Sequence, residues 1–302
     1  MSPAVPGPDW MRRRERSSLA ILKLMVMISL TFGRRAGRWV LHGIAAYFCL
    51  FAPRARAASR AYLTRVLQRP ARWADIYRHV FTFASTVHDR VYLLNDQFDL
   101  FDIEVEGADE LQQALAQGRG ALLVGAHLGS FEVLRSMGRE RAGLRVAMMM
   151  YEQNARKINA TLEAINPKAS QDIIALGRIE SMLEVRDKLD AGYLVGMLAD
   201  RTLRDDATMT VPFLGSSAHF PLGPWRMAAM LQRPVFFMAG LYEGGNRYRL
   251  HFAPLADFSA TPRAGREAAI QAAVTRYAGL IEQHSRRAPG NWFNFFDFWS
   301  RP

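Results

Sequence analysis

The chain has 302 residues, half of them hydrophobic, a single cysteine and a formal net charge of +11. That is enough apolar content for a sizeable core in one large domain or two small ones, and one cysteine excludes both an intrachain disulfide and a cysteine metal cluster. The charge is uneven: residues 1–72 carry 14 of the 39 basic residues and two of the 28 acidic ones, so the remaining 230 residues stand at minus one. The proline-rich residues 1–11 are expected to be poorly ordered. After Arg12-Arg-Arg-Glu-Arg16 come two apolar runs, Leu19 to Phe32 and Trp39 to Ala52, separated by Gly33-Arg-Arg-Ala-Gly-Arg38. Neither run reaches the roughly 20 residues that span a bilayer, and each suits a re-entrant or interfacial helix with arginines at the headgroups. A secretory signal lacks a small-residue cleavage site at Phe32-Gly-Arg-Arg35, while a tilted span that uses flanking residues stays open. Nucleic-acid binding is disfavoured, because the arginines interleave with aliphatic side chains and not with stacking aromatics.

From Arg54 to Asn95 the pattern is helical, interrupted at Pro70. Phe101–Val105 alternates like a strand and Ala108–Ala116 like a helix. Strands at Ala121–Ala126, Leu144–Met150, Asp172–Leu176 and Tyr193–Ala199 then alternate with helices at Phe131–Arg141, Ala155–Ile165 and Ile179–Leu189. That alternation predicts βαβ units and an α/β fold: a largely parallel central sheet flanked by helices, preceded by an N-terminal helical membrane-binding segment. Thr208–Leu214 reads as a strand and Phe220–Leu231 as a helix whose start is marked by Pro221 and Pro224. Pro234–Tyr242 and Arg247–Pro254 form a hairpin turning at Glu243-Gly-Gly-Asn246, and Arg266–Arg287 is an amphipathic helix. The expected division is residues 1–72 as membrane-associating helices and 73–302 as the catalytic domain.

The chemistry concentrates in Gly120-Ala-Leu-Leu-Val-Gly-Ala-His127-Leu-Gly-Ser-Phe-Glu132. The apolar run is a strand buried on both faces, so His127 falls at its carboxyl end, where open α/β sheets place their ligands. Gly129 permits a sharp turn, Ser130 is a candidate N-cap and Glu132 lies in the first turn of the next helix. An imidazole takes a proton near neutral pH, and a carboxylate on its other nitrogen fixes the tautomer. The sequence holds no Gly-x-Ser-x-Gly elbow, so a substrate hydroxyl or amine is the group to be deprotonated. On spacing alone, a histidine held by backbone and a glutamate complementing the helix dipole remain an equal reading. Asp200-Arg201 ends another strand and belongs either near this pair or to a plain capping pair. Met148, Met149 and Met150 are core or the lining of a tunnel for a flexible apolar chain. No metal-ligand spacing occurs among the histidines.

The segment His127-Leu-Gly-Ser-Phe-Glu132 resembles the His-x-x-x-x-Asp/Glu signature of the lysophospholipid acyltransferase superfamily, and its surroundings resemble the late acyltransferases of bacterial lipid A biosynthesis. The landmarks Met150-Tyr-Glu-Gln-Asn154-Ala-Arg156, Gly196-Met-Leu-Ala-Asp200-Arg201, Val211-Pro-Phe213-Leu-Gly215 and Pro234-Val235 follow in order. Arg78-His79, Thr86-Val-His-Asp89-Arg90 and the ending Asn291-Trp-Phe-Asn-Phe-Phe-Asp-Phe-Trp299 are most similar to acyltransferases of aryl polyene pigment pathways. The resemblance implies acyl transfer with His127 and Glu132 as a general-base dyad, and Gly129, Ser130, Asn154, Arg156, Asp200, Arg201, Phe213 and Gly215 around the substrate. It needs no metal and no cofactor. Arg156, Arg178 or amides near Gly129 are candidate oxyanion donors. The implied partners are a donor, acyl carrier protein or acyl-CoA, and a membrane lipid or glycolipid acceptor at the cytoplasmic face of the bacterial inner membrane. A coenzyme A-dependent lysophospholipid acyltransferase and a silent adaptor of the same fold are the alternatives. Lipid A acyltransferases end in a basic aromatic segment, whereas this chain has Asn and Asp there, which argues against a lipid A acceptor. The aromatic ending either packs onto the core or faces lipid.

Overall fold

The computed structural model describes residues 19–140, 144–151, 161, 165–166, 173–176, 179–202 and 206–299. In chain order, α1 (Leu19–Phe51), α2 (Pro53–Leu67) and α3 (Trp73–Leu94) precede β1 (Asp102–Glu106), α4 (Ala108–Ala116), β2 (Ala121–Gly129) and α5 (Phe131–Glu140). Next come β3 (Val146–Tyr151), β4 (Ile173–Leu176), α6 (Ile179–Asp190), β5 (Leu194–Leu198), β6 (Thr208–Phe213) and β7 (Ser216–Pro221). The last elements are α7 (Gly223–Leu231), β8 (Pro234–Gly244), β9 (Arg247–Asp257) and α8 (Arg266–Arg287). Of the helix expected over Ala155–Ile165, only Thr161 and Ile165 fall among the described residues, and both are helical. The basic run at Arg12–Arg16 and the proline-rich start lie outside them.

The sheet has seven strands in the order β1-β9-β8-β2-β5-β3-β4. All pairings are parallel except β8 with β9, so β9 and β1 run against the other five. The expected largely parallel sheet is therefore present, and β2 lies at its centre between β8 and β5. Both faces of β2 are covered: Leu122, Val124, Ala126 and Leu128 enter one core cluster, while Ala121 and Leu123 enter the other. This two-residue alternation with both sides apolar is why the run is continuous in sequence.

Two local departures have clear physical causes. The stretch expected to begin a helix at Phe220 instead supplies β7, which pairs antiparallel with β6 in a separate two-stranded ribbon. Leu214 and Gly215, both at positive φ (50° and 79°), make the two-residue turn that reverses the chain there. At the N-terminus the two apolar runs form one helical element broken at Gly33, whose φ of 80° no helix accepts. No helix among the described residues is long and apolar enough to cross a membrane. Arg34 and Arg38, expected at lipid headgroups, turn inward instead. Arg34 makes two bonds of 2.7 and 2.8 Å to the fully buried carboxylate of Asp89, which also accepts from Tyr248 Oη at 2.7 Å. Arg38 donates to Tyr242 Oη at 2.8 Å. Gly37 sits so close to α3 that a Cβ would lie 2.3 Å from His88 Nε2. The inner side of α1, with Val26, Leu41, Ala45 and Cys49, is part of the protein core.

Candidate active site

Strand β2 delivers His127 through an irregularity. Gly125 pairs with Met238 of β8 and the next pairing is Gly129 with Gly240, so β2 advances four residues while β8 advances two. A bulge of this kind re-aims a side chain next to a site. It also explains why the strand runs three residues past the Ala126 expected from hydropathy. Gly129 closes the bulge at φ 73°, and a Cβ there would lie 2.0 Å from the carbonyl oxygen of Gly240. The Ser130 amide donates to that same oxygen at 2.7 Å, and Ser130 is buried. Gly196 of β5 lets the ring of Phe131 lie directly against the sheet, since a Cβ would approach that ring to 2.4 Å. The Phe131 ring thereby anchors the first residue of α5 against β5 immediately after the histidine.

The carboxylate bonded to the imidazole is Asp200, at the end of β5 beside β2. His127 Nδ1 lies 2.8 Å from Asp200 Oδ1, while Asp200 Oδ2 accepts from the His127 amide (3.1 Å), Trp292 Nε1 (3.1 Å) and Asn294 Nδ2 (2.9 Å). The Asp200 carboxylate is completely buried, and the His127 side chain is 28% exposed. Four N–H groups around a buried carboxylate keep it ionised. Burial alone would raise the pKa of Asp200, but the His127 ring and amide together with Arg201 hold it well below the usual carboxylate range. For His127, burial lowers the pKa below its ordinary value, Arg201 adds to that, and Asp200 opposes both. A carboxylate on Nδ1 selects the Nδ1–H tautomer, which leaves the Nε2 lone pair as the basic atom. Among the described residues Nε2 has no hydrogen-bond partner.

Glu132, expected to brace the imidazole, does not make that bond. It sits 5% exposed in the first turn of α5, with Oε2 3.5 Å from the Arg135 guanidinium and Oε1 without a partner among the described residues. The physical reason is the bulge followed by the turn at Gly129, which sends Glu132 into α5 while β5 brings Asp200 alongside Nδ1. Arg201 follows Asp200 and donates to Asn294 Oδ1 at 2.8 Å. Phe213 is fully buried in an aromatic cluster with Phe220, Trp292 and Phe298, and Gly215 belongs to the ribbon turn. Asn154, Arg156 and Arg178 lie outside the described residues. On β3, Met149 is in the core, whereas Met148 and Met150 are half-buried on the opposite face.

Sequence reasoning missed Trp292 and Asn294 as members of the site. The C-terminal segment packs onto the core, with Trp292, Phe293, Asn294 and Phe298 all buried. The available signal was polar residues spaced within an otherwise aromatic run: an amide buried among aromatics must find partners. Asn291 uses both ends of its side chain on the Tyr242 backbone of β8 (2.8 and 3.1 Å). His79 of α3, flanked by Ser59, donates from Nε2 to the Trp292 carbonyl at 2.8 Å.

Comparison with known proteins places a family model described as bacterial lipid A biosynthesis acyltransferase on residues 18–301. A search of curated proteins returned no match.

Proposed function

Because the chain belongs to the bacterial lipid A biosynthesis acyltransferase family and is therefore an acyltransferase, we propose that His127 is its general base and that Asp200 sets the tautomer of the ring. The acceptor hydroxyl gives its proton to His127 Nε2 as its oxygen attacks the thioester carbonyl. Collapse of the tetrahedral adduct breaks the C–S bond, and the proton leaves with the thiol, so an ester and a free thiol are the products. A thiol of pKa near 8.5 needs little acid assistance. General-base help of this kind is worth about 10² to 10⁴ in rate, and positioning and oxyanion stabilisation supply the rest. The observation that carries this reading is the 2.8 Å bond from His127 Nδ1 to a fully buried carboxylate, with the opposite nitrogen unpartnered and the ring partly open to solvent. Glu132 keeps a place in the reading as the second acidic group, buried beside Arg135 in the first turn of α5.

The donor in this reading is a carrier-protein thioester, the acceptor a hydroxyl of a membrane lipid or glycolipid, and the chain transferred an acyl or polyenoyl group, as the resemblance to aryl polyene acyltransferases implies. Residues 1–72 attach the enzyme to the cytoplasmic face of the inner membrane. Support comes from the outward side of α1, where Trp39, Val40, Tyr47, Leu50 and Phe51 are exposed while Leu41, Ala45 and Cys49 on the other side are buried. A helix apolar on both sides has two apolar partners, one of them the protein core. Arg35 on α1 and Arg54 and Arg60 on α2 are also exposed, as binding to anionic headgroups requires. Mass spectrometry of lipids from strains with and without the protein tests the reading. An acylated lipid that appears only with the protein identifies chain and acceptor together, and identical lipid profiles contradict transfer to a lipid. Competition between carrier-protein and coenzyme A thioesters with purified enzyme decides the donor.

A further inference from the structure

We propose that the C-terminal segment Trp292–Asn294 is a brace for the catalytic carboxylate, making Trp292 and Asn294 positioning residues that act through Asp200. The inference rests on the reading of His127 and Asp200 given above.

Three observations carry it. The first is the division of labour at Asp200. Oδ2 receives three N–H donors, two of them from this segment, while Oδ1 receives only His127 Nδ1. A carboxylate with one oxygen so saturated cannot rotate without breaking three bonds, so its other oxygen stays in line with the imidazole. The second is that the segment grips the histidine as well. The Phe293 amide donates to the His127 carbonyl at 2.7 Å, and Trp292 forms an isolated antiparallel bridge with Leu128. The bulge that aims His127 is therefore closed from outside the sheet by Trp292 and Phe293, in the same segment whose Trp292 and Asn294 hold Asp200. The third is how firmly the segment is itself held. Asn291 is bonded to the backbone of β8, His79 to the Trp292 carbonyl, and Arg201 bridges Asn294 Oδ1 and the Phe293 carbonyl. Asn294 is 1% exposed and both polar ends of its side chain are used, one on Arg201 and the other on Asp200. A segment that only covered the core would be served better by apolar side chains, because each buried amide needs its partners supplied.

The consequence is electrostatic as well as steric. The charged groups acting on His127 are Asp200 and Arg201. Each N–H taken away from Oδ2 leaves more of the carboxylate charge to stabilise the imidazolium, so the ring becomes easier to protonate. Trp292→Phe removes one N–H while keeping an aromatic ring in place, and Asn294→Ala removes the other. Asn294→Asp goes further: it puts a second carboxylate beside Asp200 and pairs it with Arg201.

The test reads the protonation of His127 directly in the full-length protein, without any substrate. Diethyl pyrocarbonate reacts with neutral imidazole, and peptide mass spectrometry follows its addition to His127 as a function of pH. The wild type should titrate below 6.5. Trp292→Phe and Asn294→Ala should each move the midpoint upward, and Asn294→Asp should move it by about one unit or more. Lipid acylation should fall roughly tenfold or more for Trp292→Phe, the loss expected for one bond to a charged group. In an Asp200→Asn background the same substitution should have no further effect on acylation. A purely structural role would lower the melting temperature and leave the midpoint where it is. Unchanged midpoints in both Asn294 variants overturn the proposal, even where Trp292→Phe does not fold. The acyl-transfer reading is judged separately by His127→Ala, so the two can fail independently.

Discussion

Replacing Asp200 by Asn removes a single charge and leaves the shape of the side chain nearly unchanged, yet the surrounding donors determine how the amide must sit. With its oxygen in the place of Oδ2 it keeps the bonds from the His127 amide, Trp292 and Asn294 and loses only the one to Nδ1. With its oxygen toward the imidazole it keeps one bond and thrusts an NH₂ group against three N–H donors. At about 1–3 kcal/mol for each unmade buried bond, the first orientation wins by roughly 2–6 kcal/mol. It presents N–H to Nδ1, which must then accept, and the ring proton moves to Nε2. The base is now occupied by its own proton. The expected loss is the whole general-base contribution, about 10² to 10⁴ in turnover, or roughly 3–5.5 kcal/mol of barrier, with KM within about twofold because no substrate contact is removed. Thiol release from acyl-pantetheine over vesicles of phosphatidylethanolamine and phosphatidylglycerol measures the rate, and circular dichroism checks the fold. A folded Asp200→Asn enzyme working within threefold of the wild type would refute the tautomer argument.

Other expectations follow from the same structure. Burial holds the pKa of His79, His88 and His284 each down to about 4 from an ordinary value near 6.5. The unfolded chain then binds more protons than the native one, so stability drops as pH falls from 6.5 to about 4, by an amount on the order of 3 kcal/mol for each ring. Melting temperature should decline steeply across that window, and a flat profile would contradict neutral buried histidines. Gly129→Ala combines a positive φ with a methyl 2.0 Å from the Gly240 carbonyl, so urea unfolding should show a loss of about 2 kcal/mol or more together with lost activity. A wild-type midpoint would mean that the bulge is not as tight as described. On the outward side of α1, Trp39→Ser with Leu50→Ser should weaken sedimentation with anionic vesicles by roughly 100-fold or more at unchanged melting temperature, given a few kcal/mol of lost apolar burial. Equal vesicle binding would separate that surface from the membrane.

The sheet was legible because its central strands are apolar on both faces and helices alternate with the strands. The apolar runs at Ala121, Leu194 and Pro234 did become the three central strands. The ribbon strand β7 was not legible, because Ser216-Ser-Ala-His-Phe carries only a weak alternation and two prolines nearby suggest a helix start. The position of Asp200 could be argued from sheet logic, since β2 and β5 are parallel neighbours and both end at the same edge. Its bond to His127 could not, because local spacing favoured Glu132, five residues away, over a carboxylate 73 residues away. Trp292 and Asn294 are further still along the chain, and no periodicity links them to β2. Arg34 shows the same limit: an arginine beside an apolar run reads as a headgroup ligand until a buried partner such as Asp89 is seen.

Catalysis in this enzyme depends on Nε2 of His127 acting as the base. Lipid mass spectrometry of cells carrying the wild-type protein or His127→Ala, at matched levels of folded protein, is the most direct measurement. The acylated lipid should be present with the wild type and reduced at least a hundredfold with the variant, the lower end of a general-base contribution of about 10² to 10⁴. Equal amounts in the two strains would contradict the assignment of this histidine as the base.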